Sequence, residues 1–120
     1  MKVYIAGKIT GDRFYKRKFR KAEKLLRKLG CSVMNPAWIV AGKDFSYDDY
    51  LKVSGAMQEV CDAVFFLKDW NKSNGATGEM KRCNELGQYS FFEGSSFSIE
   101  RIKFLQAQGC SIRRKVGLKT

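Results

Sequence analysis

The chain has 120 residues, enough for one domain with a core but too few for two, so we expect a single domain over residues 1–120. Its hydrophobic content of 44% argues against disorder, and no apolar run approaches the ~20 residues that a membrane span needs. The net charge of +11 favours anionic partners such as nucleotides, nucleic acid or other phosphate compounds.

Predicted strands and helices alternate along the chain. The strands are predicted at residues 2–6, 31–35, 62–67, 88–93 and 110–116, and the helices at 13–29, 46–60, about 76–86, and 95–109. This alternation predicts an α/β fold, a flavodoxin-like (Rossmann-type) three-layer sandwich with a mostly parallel five-stranded sheet in the order 2-1-3-4-5. The third strand, DAVFFL, is the most hydrophobic and should be central.

Helical periodicity also predicts which side chains face the core. The inward residues are expected to be Phe19, Ala22, Leu26 and Leu29, with Leu25 alongside, and, in the last helix, Ile99, Ile102, Phe104 and Leu105. Ser46 and either Ser95 or Ser96 are predicted helix N-caps, and Gly87 is a predicted helix stop.

The chain offers few of the residues that bind metals. It has no histidine, and its four cysteines are widely spaced without a C-x-x-C pair. We therefore predict no metal and no cofactor, with the cysteines as buried or incidental thiols. The N-terminus, MKVYIAGKITG, lacks the pattern of a signal peptide, and the sequence predicts a cytoplasmic protein.

Two glycine-containing loops follow the first and third predicted strands. In the predicted sheet both lie at the carboxyl ends of the strands, where the strand order reverses and ligands bind. The first, GKITG at 7–11, matches neither a Walker loop nor a dinucleotide fingerprint. It is either an anion cradle of backbone N–H groups, Lys8 and Thr10 or a plain strand-to-helix turn.

The second loop, WNKSNGATGE at 70–79, ends in a carboxylate. Glu79 falls in the first turn of the predicted third helix, where the helix dipole alone favours an acid. The alternative is chemical: a carboxylate there keeps a low pKa, stays ionised, and can attack an electrophilic sugar carbon. The residues alone leave both interpretations open.

Nine Lys or Arg residues lie in the stretch 13–28, against the single acid Glu23. This stretch is either a solvated helix face or a footprint for phosphate groups. Nucleic-acid binding through 13–28 and the RRK of 113–115 is a further hypothesis, although no helix-turn-helix, zinc-finger or RNP-type signature is present.

Four motifs in order resemble a known superfamily. These are YIAGKITG at 4–11, Asn35-Pro36, CDA at 61–63 and WNKSNGATGE at 70–79. From Lys2 to Gly87 the chain resembles the nucleoside 2-deoxyribosyltransferase-like superfamily, and is most similar to its DUF4406 branch. That superfamily includes enzymes that transfer deoxyribose between bases and hydrolases that cut the N-glycosidic bond of nucleoside monophosphates.

The resemblance implies roles for particular residues. Glu79 matches the nucleophile that attacks C1′ of the sugar, and Tyr4 matches a tyrosine that orients it. Ser73 matches a phosphate-contacting serine. The implied substrate-binding residues are Gly7, Lys8, Ile9, Thr10, Gly11, Ser73, Gly75 and Ala76. A homodimer is also implied.

One position departs from the family pattern. The superfamily usually has an aspartate eight residues before Asp62, and this chain has Ser54 there. We therefore keep two functional hypotheses. The first is N-glycosidic bond cleavage or deoxyribosyl transfer on a nucleoside or nucleoside monophosphate. The second is a non-catalytic binder of nucleotides or nucleotide-derived signals in the same cleft.

Overall fold

The computed structural model describes residues 1–39 and 44–108. The strands are β1 (Lys2–Ala6), β2 (Ser32–Met34), β3 (Ala63–Phe66) and β4 (Tyr89–Phe92), and the helices are α1 (Tyr15–Lys28), α2 (Tyr47–Glu59), α3 (Asn74–Leu86) and α4 (Ser96–Ala107). Short 3₁₀ turns lie at Pro36–Trp38 and Trp70–Lys72.

The described strands form one parallel sheet in the order β2-β1-β3-β4. Val3 pairs with Val33 on one side and with Ala63 on the other, so β1 and β3 are the central strands. The prediction of a parallel α/β sheet with a central third strand is confirmed. The sheet has four strands in the described part of the chain rather than five, and the predicted fifth strand, 110–116, lies outside the described residues.

A hydrophobic core lies on each face of the sheet, because its central strands are buried on both sides. One core joins side chains of α1 and α4 to Val3, Ile5 and Phe65. The other joins side chains of α2 and α3 to Tyr4, Val64 and Phe66. The result is three layers, and the alternation along β1 sends Tyr4 to the side of α2 and α3.

The helix ends follow the predicted capping chemistry in most cases. Ser46 and Asp49 form a reciprocal capping box at the start of α2, Ser95 caps α4, and Gly87 ends α3 with a φ of 69°. The start of α3 was predicted wrongly. Ser73 accepts a hydrogen bond from the Ala76 N–H, so the helix begins at Asn74 and Glu79 lies in its second turn rather than its first.

Two predicted core residues face outward. Phe104 is 62% exposed and Leu25 is 37% exposed. An α-helix turns by about 100° per residue, so Phe104 lies nearly opposite the buried Ile102, and Leu25 lies beside the buried stripe that ends at Leu26. No helix among the described residues has the length and apolar character needed to cross a membrane.

Candidate active site

A cleft opens at the carboxyl ends of β1 and β3, between the loops that follow them and α2. The space in it that a water molecule can occupy is about 30 Å³, and it shares lining residues with two wider depressions beside it. Eight of the ten predicted site residues line it: Tyr4, Gly7, Ile9, Thr10, Ser73, Gly75, Ala76 and Glu79. Lys8 lines an adjoining depression with Thr10, Ser73 and Gly75, whereas Gly11 lies outside the cleft in an exposed turn with a φ of 82°. We call this space the Glu79 cleft.

Tyr4 and Glu79 meet at the floor of the cleft. The Tyr4 hydroxyl donates a hydrogen bond to Glu79 Oε2, from a side chain that has no exposed surface. Burial, followed by the negative charge of Glu79, holds the pKa of the Tyr4 hydroxyl well above its usual value. The tyrosine is therefore a fixed hydrogen-bond donor, and it fixes one carboxylate oxygen of Glu79.

The protonation state of Glu79 differs from the prediction. Burial raises the pKa of this carboxyl from 4.5 to about 7, and the hydrogen bond from Tyr4 opposes the increase. The expected low pKa was wrong because Glu79 lies a full turn inside α3, where desolvation outweighs the dipole of the helix N-terminus. A carboxyl with this pKa exchanges its proton near neutral pH, as catalytic carboxyls do.

Helix α2 supplies cleft residues that the sequence did not reveal as functional. Tyr47 and Tyr50 both line the cleft, and burial followed by the charge of Glu79 raises the pKa of the Tyr50 hydroxyl. They lie three residues apart and therefore on one helix face, which is the signal that sequence reasoning missed. Ser54, one turn further on, is buried and lines the cleft, and its hydroxyl donates to the Leu51 carbonyl at 3.3 Å.

The two loops at the cleft mouth are joined by Asp69. Its Oδ1 accepts from the Lys8 backbone N–H at 3.1 Å, and its Oδ2 pairs with Lys18 of α1. Lys18 also pairs with Asp12, which hydrogen-bonds the Phe14 N–H at 2.9 Å. The Lys8 amide of the GKITG loop therefore already has an anionic partner in Asp69, which leaves fewer N–H groups of the loop for a ligand.

The other side of the mouth is the beginning of α3. Asn74 and Gly75 are its first residues, and their N–H groups have no partner within the helix. Lys8 and Lys72 flank them in the adjoining depression. The positive end of a helix beside two lysines is a favourable place for a phosphate or carboxylate.

A buried amide network holds the cleft wall behind Glu79. Gln58 of α2 donates from Nε2 to the Glu79 backbone carbonyl at 2.9 Å and to Gln88 Oε1 at 3.1 Å. Gln88 donates in turn to the carbonyls of Gln58 and Cys61, at 2.7 and 2.9 Å. These contacts fix both amide orientations and tie α2 to the carboxylate-bearing turn of α3.

The described part of the chain has no set of side chains arranged to bind a metal ion. No group of three or more His, Cys, Asp or Glu residues is placed to hold an ion within residues 1–39 and 44–108. Cys31, Cys61 and Cys83 are buried. Cys110 lies outside the described residues.

Comparison with protein families gives a match over most of the chain. The model described as "Domain of unknown function (DUF4406)" matches residues 1–90. The chain belongs to the DUF4406 family. The match includes β1, β3, α3 and every residue that lines the Glu79 cleft. No curated protein matches this DUF4406 chain.

A solved structure supports the fold of this family member. A 2-deoxyribosyltransferase from Bacillus psychrosaccharolyticus matches with a TM-score of 0.61 and 21% sequence identity, over 77% of this chain and 71% of that one. The DUF4406 chain therefore has a nucleoside 2-deoxyribosyltransferase-like fold. The predicted DUF4406 family and the predicted type of fold are confirmed.

Proposed function

We propose that the protein cleaves the N-glycosidic bond of a nucleoside or nucleoside monophosphate in the Glu79 cleft, or transfers the deoxyribosyl group from one base to another. The observation that supports this most directly is the hydrogen bond from the buried Tyr4 to the Glu79 carboxylate. It orients one oxygen of a carboxylate with a pKa near neutrality and leaves the other oxygen for a substrate. The named activity of the structural relative, a 2-deoxyribosyltransferase, agrees with such a site.

The proposed reaction has two displacements. The ionised Glu79 oxygen attacks C1′ of the sugar, the C1′–N bond breaks, and its electron pair leaves with the base, which takes up a proton from solvent. Water or a second base then attacks C1′, the C1′–O bond to Glu79 breaks, the attacking group gives up its proton to solvent, and Glu79 leaves as the carboxylate. In glycoside chemistry a single carboxylate nucleophile gives this covalent intermediate and retention of configuration.

The other cleft residues have binding roles in this proposal. Lys8, Thr10 and Ser73, with the N–H groups near Gly75, would bind a 5′-phosphate, and Lys72 adds charge that the sequence did not single out. Ile9 and Gly7 line the wall. Tyr50 lines the cleft, and its hydroxyl would donate a hydrogen bond to the departing base.

The test is base release from purified nucleosides and deoxynucleoside monophosphates, followed by chromatography with the wild-type protein and Glu79→Ala. We expect release from the wild type and none from the variant. Mass spectrometry of the wild type with a slowly released 2′-fluoro analogue should find the glycosyl adduct on the peptide that contains Glu79. Equal base release by both proteins would exclude Glu79 as the nucleophile.

Ser54 supports a second candidate function, a non-catalytic nucleotide binder. Its buried side chain lines the cleft at the position where the superfamily usually has an aspartate. A serine cannot supply a carboxylate to bind the sugar or protonate the base. For this candidate, calorimetry should detect binding of a nucleoside monophosphate while chromatography detects no product, and steady turnover would exclude it.

A further inference from the structure

The positive charge of the chain is concentrated on α1. Residues 13–28 contain nine Lys or Arg and one acid, a net +8 of the +11 carried by all 120 residues. A fold of this kind needs no such helix, because the stability of α1 comes from the buried Phe19, Ala22 and Leu26. Eight like charges on one segment repel one another, so the arrangement calls for an anionic partner.

The structure shows where these charges point. Eight of the nine basic side chains are exposed: Arg13, Lys16, Arg17, Arg20, Lys21, Lys24, Arg27 and Lys28. Only Lys18 is turned inward, where Asp12 and Asp69 neutralise it. Helical geometry places Arg17, Lys21, Lys24 and Lys28 in one row opposite the buried stripe, about 16 Å long. We call these four residues the α1 row.

The burial of α1 distinguishes between possible partners. An amphipathic helix binds a lipid surface by inserting its apolar face. The apolar face of α1 is packed against the sheet, with Phe19 and Leu26 having no exposed surface. The exposed side of α1 therefore carries charged side chains and no apolar stripe that could insert into a membrane. Such a surface suits the phosphate backbone of a nucleic acid.

We propose that the outer face of α1 is a nucleic-acid-binding surface that contacts the phosphate backbone. The α1 row consists only of Lys and Arg, whose positive charges pair with phosphate oxygens, and such backbone contacts carry no sequence information directly. Phe14, 58% exposed at the start of the helix, has the guanidinium groups of Arg13 and Arg17 at 5.3 and 5.9 Å from its ring centre. It places an aromatic group at one end of the basic surface, where an unpaired base can stack. This proposal does not rest on the chemistry of Glu79.

The test is fluorescence anisotropy with a labelled single-stranded 20-mer DNA, titrated with the full chain between 50 and 200 mM salt. One variant neutralises the α1 row (Arg17→Gln, Lys21→Gln, Lys24→Gln, Lys28→Gln). Its matched control removes four exposed lysines elsewhere (Lys52→Gln, Lys68→Gln, Lys81→Gln, Lys103→Gln). Both variants lose the same charge, and circular dichroism melting shows whether each one folds.

We expect the α1-row variant to bind at least tenfold more weakly at 50 mM salt. Its plot of log affinity against log salt should be shallower by about three, because each phosphate contact on a single strand contributes about 0.7 to the slope. The control should keep a slope near that of the wild type. Equal weakening in both variants, or no binding by the wild type at 50 mM salt, would overturn the proposal. Vesicles with one quarter phosphatidylserine are the second probe, and vesicle binding that depends on the α1 row as strongly as DNA binding does would also overturn it.

Discussion

The Tyr4 hydroxyl donates a hydrogen bond to the Glu79 carboxylate, although 75 residues separate them in the chain. The contact crosses from the central strand β1 to the second turn of α3, so it exists only in the folded protein. The hydrogen bond stabilises the charged form of the Glu79 carboxyl, and burial raises the pKa of that carboxyl to about 7. The ionisation of Glu79 is therefore the property of the site that mutation and pH can test most directly.

The first prediction concerns the pH profile of base release. If the ionised Glu79 is the nucleophile, the rate should rise about tenfold per pH unit below pH 7 and level off above it, because its pKa is about 7. Tyr4→Phe removes the hydrogen bond to the charged form, so the midpoint should move upward by about one to two units. Tyr89→Phe, in the edge strand β4, is the matched control and should leave the midpoint unchanged. If the midpoint of the pH profile were the same in Tyr4→Phe as in the wild type, the Tyr4 hydrogen bond would not lower the pKa of the nucleophile.

The second prediction concerns stability. The pKa of Glu79 is raised from 4.5 in the unfolded chain to about 7 in the folded one, so the folded protein binds the extra proton between these values. The free energy of unfolding should therefore fall by about 3 kcal/mol as pH rises from 4.5 through 7, and Glu79 should add no further slope above about pH 8.

Glu79→Gln removes this dependence. In chemical denaturation at pH 8 the variant should be about 1–3 kcal/mol more stable than the wild type, and at pH 4.5 the difference should disappear. Glu85→Gln, an exposed acid on the same helix, is the control and should change stability little at either pH. A destabilised Glu79→Gln at pH 8 would show that burial does not disfavour the charge.

The third prediction concerns the amide pair Gln58 and Gln88. Gln58→Met removes the donor to the Glu79 carbonyl and leaves the buried Gln88 Oε1 without that partner, at an expected cost of about 1–3 kcal/mol. Gln88→Met should cost a similar amount because two carbonyls lose their donor. The double variant should cost less than the sum, with a coupling of about 1–2 kcal/mol by urea denaturation. Strict additivity would mean that the two amides act independently.

The fourth prediction concerns Gly7 at the end of β1. A Cβ at this position would lie 2.7 Å from Leu67 Cδ1 and 3.0 Å from its Cβ and Cγ, so the end of β3 must move. Gly7→Ala should destabilise the protein by about 1–3 kcal/mol. Gly55→Ala, inside α2 with open space around it, is the matched control and should stabilise by about 0.5–1 kcal/mol. Thermal melts that rank the two variants in the reverse order would refute this packing role.

The sequence predicted the parts of the molecule that depend on local patterns. The buried runs KVYIA and DAVFFL predicted the two central strands, and the glycine-containing loops after them predicted the location of the cleft. The ionisation of Glu79 was predicted wrongly because Ser73 starts the helix earlier, and because burial depends on how α2 packs against α3. The contacts of Asp69 and Gln58 were not predictable, since each joins residues distant in sequence whose proximity only the tertiary fold creates.

The absence of histidine from the chain gives the Glu79 carboxyl a further use. Histidine is the side chain that ordinarily titrates near neutral pH. In this chain, the Glu79 carboxyl titrates in that range, because its pKa is about 7. A negatively charged ligand that settles beside Glu79 would raise its pKa and draw a proton from solution. Calorimetry in two buffers of different ionisation heat would measure that uptake. An unlabelled compound could therefore be recognised as a cleft ligand by the proton that the protein takes from the buffer when the compound binds.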